Sequence, residues 1–423
     1  MSQEHQPICT QETQELIAKL RACPAVEKGL AQAEEQHQQR ISEQVQLTEV
    51  PAPPFREEER AKVFAQLLAA AGIPDVHQDQ IGNVIGRLKG IGNGPTLVMG
   101  AHIDTVFKEG TPIKVSQEGT KYFAPGISDD AAGLASLLQV ARSITQQGIK
   151  TVGDIVFVGT LGEEGNGDLR GCKALFKVKN DYDGMLAIDS ANVHRILRGS
   201  VGCKRYRIIF ESLGGHSLHK FGIVVSSIHG LARAITKVDD LQVPTEPKCT
   251  FNFGVVKGGT SVNAIAARAE AELDIRSVDQ PSLDAFVKRV LKAIQEACDE
   301  ENNRWNLEGE NAVRLIIKQI GDRPAGANKD DASVIQAAYG TLQSLSIPLE
   351  KYTLAATDQN VPLFYGLPAT TLGAGGIEAN NHSLSEWWEA EDAFQGPQVA
   401  FLTALTLVGV NGVTEPLLEK QPR

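Results

Sequence analysis

A chain of 423 residues exceeds what one hydrophobic core supports, because cores stop growing near ~250–300 residues, so two domains are expected. With 52 acidic and 41 basic residues the net charge is −11, which argues against nucleic acid or an anionic membrane as a partner. The 42% hydrophobic and 22% charged residues exclude a disordered or fibrous chain and indicate a soluble globular one.

Residues 11–45 read as polar helix, ended by Val50-Pro51-Ala52-Pro53-Pro54, where each proline restricts the residue before it. The start is glutamine-rich and has no apolar run of signal-peptide length, and no stretch approaches the ~20 apolar residues of a membrane span. Six scattered cysteines form neither a disulfide framework nor a CxxC metal site, so a cytoplasmic protein is expected. From Glu57 to Ala71 the residues Val63, Phe64, Leu67, Leu68 and Ala71 recur at helical spacing, and Gly72 closes the helix.

Short apolar runs follow at Thr96–Met99, Asp154–Val158 and Gly184–Ile188, as expected for strands covered on both faces. Between the first two, Gly133–Gln147 carries the helical stripe Leu134, Leu137, Leu138, Ala141 and Ile144, giving β-α-β order and a mostly parallel sheet. The middle changes character. Ile265–Arg276 alternates, with Ala267, Ala269, Ala271, Leu273 and Ile275 facing one way and Arg268, Glu270, Glu272, Asp274 and Arg276 the other, a half-buried strand. Together with strand-like runs at 204–210, 251–256 and 313–318 and helices near 223–238 and 282–299, it predicts an inserted α+β domain. Apolar runs such as Ala369–Leu372 resume after Gly321, and a helix at Gly396–Leu407 completes the first domain. The expected division is 1–200, 201–318 and 319–423.

Metal-ligating residue types collect after the apolar runs. His102 and Asp104 follow one, Glu163 and Glu164 another, Asp189 a third, while Asp129 and Asp130 precede a helix and His382 follows the run at 369–372. In parallel sheets, sites form beyond the carboxyl ends of the strands. An imidazole supplemented by carboxylates suits zinc, cobalt or manganese. A carboxylate such as Asp129 has two oxygens with which to span two ions, and of Glu163 and Glu164 one is able to ligate while the other takes a proton from water. Singly, each fragment also has a plain reading as a surface turn, an N-cap or a solvated loop; their order along the chain favours one site.

The segments Gly100-Ala101-His102-Ile103-Asp104, Gly126-Ile127-Ser128-Asp129-Asp130, Gly162-Glu163-Glu164-Gly165, Gly214-Gly215-His216-Ser217, Gly258 to Asn263, Asp274-Ile275-Arg276 and Asn381-His382-Ser383 resemble the zinc-dependent exopeptidase and amidohydrolase family of peptidase T, carboxypeptidase G, acetylornithine deacetylase and aminoacylase. The resemblance implies an α/β fold, a mostly parallel-sheet catalytic domain with an inserted α+β lid that also dimerises. It implies two zinc ions, with cobalt or manganese as substitutes, one held by His102, Asp129 and Asp189 and the other by Asp129, Glu164 and His382. Glu163 matches the general base, and Asp104 the residue that orients a histidine ligand. A cis peptide is expected between Asp129 and Asp130. His216, with His219 as its competitor, matches a histidine that reaches the partner subunit's site, and Asn263 and Arg323 match substrate-gripping residues. Arg276 reads equally as a surface ion pair.

Ala131 departs from the lysine usual at that position in relatives. Aspartate at 189 accompanies aminopeptidase or dipeptidase activity in relatives, glutamate carboxypeptidase or deacylase activity. The expectation is therefore a di- or tripeptide aminopeptidase acting as a homodimer, with a deacylase or carboxypeptidase on N-acyl or N-carbamoyl amino acids as the alternative. A catalytically silent member would lack a ligand, and none is missing.

Overall fold

The computed structural model describes residues 5–177 and 181–421. They form two compact units: one runs to Ser200 and resumes at Ala327, and the other is Val201–Gly326.

In the first unit, strands Val84–Leu88, Asp154–Thr160, Thr96–His102, Gly184–Ile188 and Ala369–Leu372 lie side by side in that order. The last four are mutually parallel, so their carboxyl ends share one edge. Every residue of Thr96–His102 and of Gly184–Ile188 is buried, which is why these segments read as unbroken apolar runs. Alternate side chains serve opposite faces: Leu97, Met99 and Ala101 join the core under helices Ala131–Gln146 and Gln395–Val408, while Val98 joins Val156, Val158 and Met185 against helix Arg170–Lys177.

The polar N-terminal stretch is three helices, Gln11–Arg21, Pro24–Glu35 and His37–Thr48. The Thr10 side chain caps the first by accepting the N–H of Thr13, and Pro24 opens the second, where its missing N–H costs nothing. Helix Glu58–Ala70 follows, and Gly72, at φ 92°, takes the left-handed turn that ends it.

The second unit is an antiparallel sheet in the order Cys249–Gly258, Arg268–Ser277, Gly202–Glu211, Arg314–Arg323, packed against helices Ser227–Asp239 and Gln280–Trp305. Ala269, Ala271, Leu273 and Ile275 are buried as the alternation requires, but Ala267 precedes the strand and is exposed. The unit ends at Gly326 rather than at 318. The strand runs through a register shift between Gln319 and Gly321 and continues to Arg323. The fold is thus α/β with a mostly parallel sheet and an α+β unit inserted in its chain.

Candidate metal centre

The shared carboxyl edge brings the ligand candidates together. His102 closes its strand, Asp189 directly follows Gly184–Ile188, and Glu163 and Glu164 follow the strand ending at Thr160. Asp129 lies just before helix Ala131–Gln146, and His382 reaches in from the segment after Ala369–Leu372 at φ 64°. Ligand atoms of His102, Asp129 and Asp189 all fall within 4.8 Å of one another, as do those of Asp129, Glu164 and His382, and those of His102, Glu163 and Glu164. Asp129 is the residue shared between the two imidazoles: its Oδ1 is 2.8 Å from His102 Nε2 and its Oδ2 is 3.0 Å from His382 Nε2. His382 Nε2 also lies 2.8 Å from Glu164 Oε1. The peptide between Asp129 and Asp130 is cis.

His102 Nδ1 donates to the main-chain carbonyl of Asp104 at 3.0 Å. A carbonyl only accepts, so this bond fixes the proton on Nδ1 and aims Nε2 at Asp129. The Asp104 carboxylate has a second task beside the histidine. It stands 3.7 Å from His102 Nδ1, while its two oxygens accept the backbone N–H groups of Glu163 and Glu164, each at 2.9 Å. Asp104 therefore fixes the histidine through its carbonyl and the glutamate loop through its side chain.

Two further acids, Glu386 and Glu378, were not picked out from the sequence. Glu386 is wholly buried and accepts the N–H groups of Gly126, Ser128 and Asp129 at 2.8, 3.0 and 3.2 Å, holding the loop that presents Asp129. Glu378 accepts from the Ser128 hydroxyl, from Ser190 Oγ at 2.5 Å and from the Ala191 N–H at 2.9 Å, joining the segments beside Asp129 and Asp189. Their closeness in sequence to His382 is the one signal that would have found them.

The electrostatics call for positive charge. Burial, reinforced by the neighbouring Asp129, pushes the Asp189 carboxyl up to about 7. Burial also pushes Glu386 up to about 7, against its hydrogen bonds from backbone N–H groups. The His382 imidazole is carried up to about 10 by its hydrogen bonds to Asp129 and Glu164. Burial disfavours charge on His102, but the hydrogen bond to Asp129 and the nearby aspartates outweigh it and raise the ring well above its ordinary value. Asp129, also opposed by burial, is held well below the usual carboxylate range by the two imidazoles. A cluster in which two imidazoles keep protons while the Asp189 and Glu386 carboxyls resist ionisation is one that a divalent cation would relieve, and imidazole nitrogens with carboxylate oxygens are the donors of such ions.

The remaining candidates belong to the second unit. His216 is exposed on the two-residue strand Gly215–His216, which pairs with Ala264–Ile265, and its ring lies 4.7 Å from that of His219. His216 and Asn263 line one cavity of about 700 Å³. Arg323 is buried at the end of its strand, paired in register with Cys203. Arg276 forms an ion pair with Asp274 at 2.6 Å, in keeping with its surface reading.

A parallel α/β sheet whose carboxyl edge gathers imidazoles and carboxylates around one shared aspartate defines a metal-dependent hydrolase. The chain belongs to Peptidase family M20/M25/M40, whose pattern matches residues 98–405. It is 26% identical over 352 residues to the uncharacterized protein YqjE of Bacillus subtilis (strain 168), spanning 79% of this chain and 90% of that protein. Its fold is similar to that of a tripeptidase from Staphylococcus aureus, with TM-score 0.72 and 21% identity over 88% of this chain and 98% of the other. It is likewise similar to YXEP of Bacillus subtilis, described as a dinuclear metal binding peptidase of the M20 family, with TM-score 0.65 and 18% identity over 89% and 99% of the two chains. Among the described residues no helix is long and apolar enough to cross a membrane.

Proposed function

We infer that this chain is a two-metal amide hydrolase of small peptides, a di- or tripeptide aminopeptidase. One ion is assigned to His102, Asp129 and Asp189 and the other to Asp129, Glu164 and His382, zinc being the proposed metal and cobalt or manganese its substitutes. The observation that carries this reading is the Asp129 carboxylate, with one oxygen at 2.8 Å from His102 and the other at 3.0 Å from His382. When bound, the ions would lower the pKa of water and polarise the substrate carbonyl.

The protein's own groups do the rest. Glu163, its backbone fixed by Asp104, takes a proton from the attacking water and returns it to the leaving amine. By the family resemblance, His216 is assigned to the developing oxyanion in the site of the second copy of the homodimer, and Asn263 and Arg323 to the substrate backbone or its carboxylate. Aspartate at 189 favours peptides with a free amino terminus. The reading includes a homodimer through the second unit, supported by its edge strand Cys249–Gly258, on which Val255 and Val256 are exposed. A cytoplasmic location is part of the same proposal, and six free cysteines fit a reducing compartment.

The test is a hydrolysis panel of di- and tripeptides, amino-blocked peptides and N-acyl and N-carbamoyl amino acids, run with Zn²⁺, Co²⁺ and Mn²⁺ on wild type and Glu163→Ala. Cleavage of free-amino peptides, lost by roughly 10²–10⁴-fold in the variant, is expected. Undiminished hydrolysis by Glu163→Ala would remove the enzyme assignment, and cleavage of the acylated substrates alone would replace the aminopeptidase by a deacylase.

A further inference from the structure

A second cavity, this one in the first unit and of about 530 Å³, is lined by Pro53, Pro54, Phe55, Val106, Phe107 and Gly165, with Arg56, Lys108, Glu109 and Asn166 completing its wall. Its three segments adjoin the metal centre. Val106 follows Asp104 by two residues, Gly165 follows Glu164 directly, and the N–H of Thr105 donates to the carbonyl of Ala52 at 2.9 Å, tying the proline segment to the histidine loop. The cavity is therefore built on the same loops that carry Asp104, Glu163 and Glu164.

Phe55 is the unusual residue in it. The N–H of Arg56 donates to the carbonyl of Pro53 at 2.9 Å, so Pro53 to Arg56 form a tight turn with Phe55 as its third residue at φ 70°. That position favours glycine, and a bulky side chain there is strained. The ring is nevertheless held in place and 56% exposed. Its own N–H donates to Glu57 Oε1 at 3.0 Å, the Arg170 guanidinium lies 4.6 Å over the ring, and Arg170 Nη2 donates to the same Glu57 oxygen at 2.6 Å. Arg170 in turn packs on the catalytic loop: a side chain at residue 162 would put its Cβ 1.8 Å from Arg170 Nη1. A strained, buttressed and solvent-facing aromatic beside a catalytic loop is the pattern of a residue kept for recognition rather than for folding.

We propose that this cavity is the subsite for an apolar side chain of the substrate residue next to the scissile amide, with Phe55 as its aromatic wall and Phe107 and Val106 as its floor. The proposal rests on the amide-hydrolase reading above. Glu57 and Arg170 act as positioning residues for the wall.

The experiment compares wild type, Phe55→Gly, Phe55→Tyr and Glu163→Gln on dipeptides in which each position is varied separately through Gly, Ala, Leu and Phe. Phe55→Gly relieves the strained turn, so its melting temperature stays level or rises. Its kcat/KM falls about tenfold or more for Leu and Phe at one position, mainly through KM, and less than threefold for Gly and Ala. Phe55→Tyr keeps the wild-type preference. If Phe55→Gly changes kcat/KM equally for all side chains while Glu163→Gln abolishes turnover, the subsite falls and the hydrolase stands. If Glu163→Gln still turns over, the hydrolase reading itself falls.

Discussion

Asp104 Oδ1 receives the backbone N–H of Glu163 at 2.9 Å, as Oδ2 receives that of Glu164. The proposed base and a proposed ligand are thus located by one carboxylate that is itself wholly buried. Asp104→Ala leaves two buried donors unmet, at about 1–3 kcal/mol each, and frees the loop. Melting temperature should drop, and kcat/KM at saturating metal should fall about 10–100-fold. Asp104→Asn, which keeps one acceptor, should lie between the two. Wild-type kcat/KM in Asp104→Ala would show that Glu163 needs no such support.

Metal uptake should be coupled to protons. His382 titrates at about 10, above the ordinary imidazole, because Asp129 and Glu164 accept its hydrogen bonds. A raised folded pKa gives the metal-free protein a stabilisation that is complete below about 6.5 and disappears as pH rises through about 10. With the side chain 54% exposed, solvent screening keeps that stability term small. The same proton has to leave before Nε2 ligates, so apparent metal affinity should climb across this window, with protons released on binding near pH 7.5. Calorimetry in buffers of different ionisation enthalpy measures the release directly. No release, with affinity flat between pH 6.5 and 9, would contradict the ligand role of His382.

Glu386 is expected to matter as much as a ligand. It receives three backbone N–H groups of the loop 126–129, which its removal would leave unmet. Glu386→Ala should lower the melting temperature and weaken metal binding about 10–100-fold, while Glu386→Gln, which keeps one acceptor oxygen, should lose less. Equal metal affinity in Glu386→Ala and wild type would refute the positioning role.

The sheet and the gathering of the candidate ligands at its edge were legible in the sequence for physical reasons. Strands buried on both faces must be continuously apolar, so a polar His102, Glu163 or Asp189 at the end of such a run marks the sheet edge. Glu386 and Glu378 left no such mark, because each is a lone acid in a loop or a three-residue strand whose partners, backbone N–H groups for Glu386 and two serine hydroxyls with one backbone N–H for Glu378, lie far away in the chain. The limit of the inserted unit was misplaced for a similar reason. A register shift between Gln319 and Gly321 interrupts the pattern of residues without interrupting the strand. The strain at Phe55 was invisible too, since only backbone geometry reveals a phenylalanine where glycine is favoured.

The two-metal centre is tested most directly by the number of divalent ions held per chain, counted by metal analysis of the purified protein and of its His382→Ala variant after dialysis at limiting free Zn²⁺. Two ions in wild type and one in the variant are predicted, with the melting temperature of the metal-free forms little changed because His382 is largely exposed. A wild-type chain that retains no metal, or a variant that still retains two ions, would contradict it.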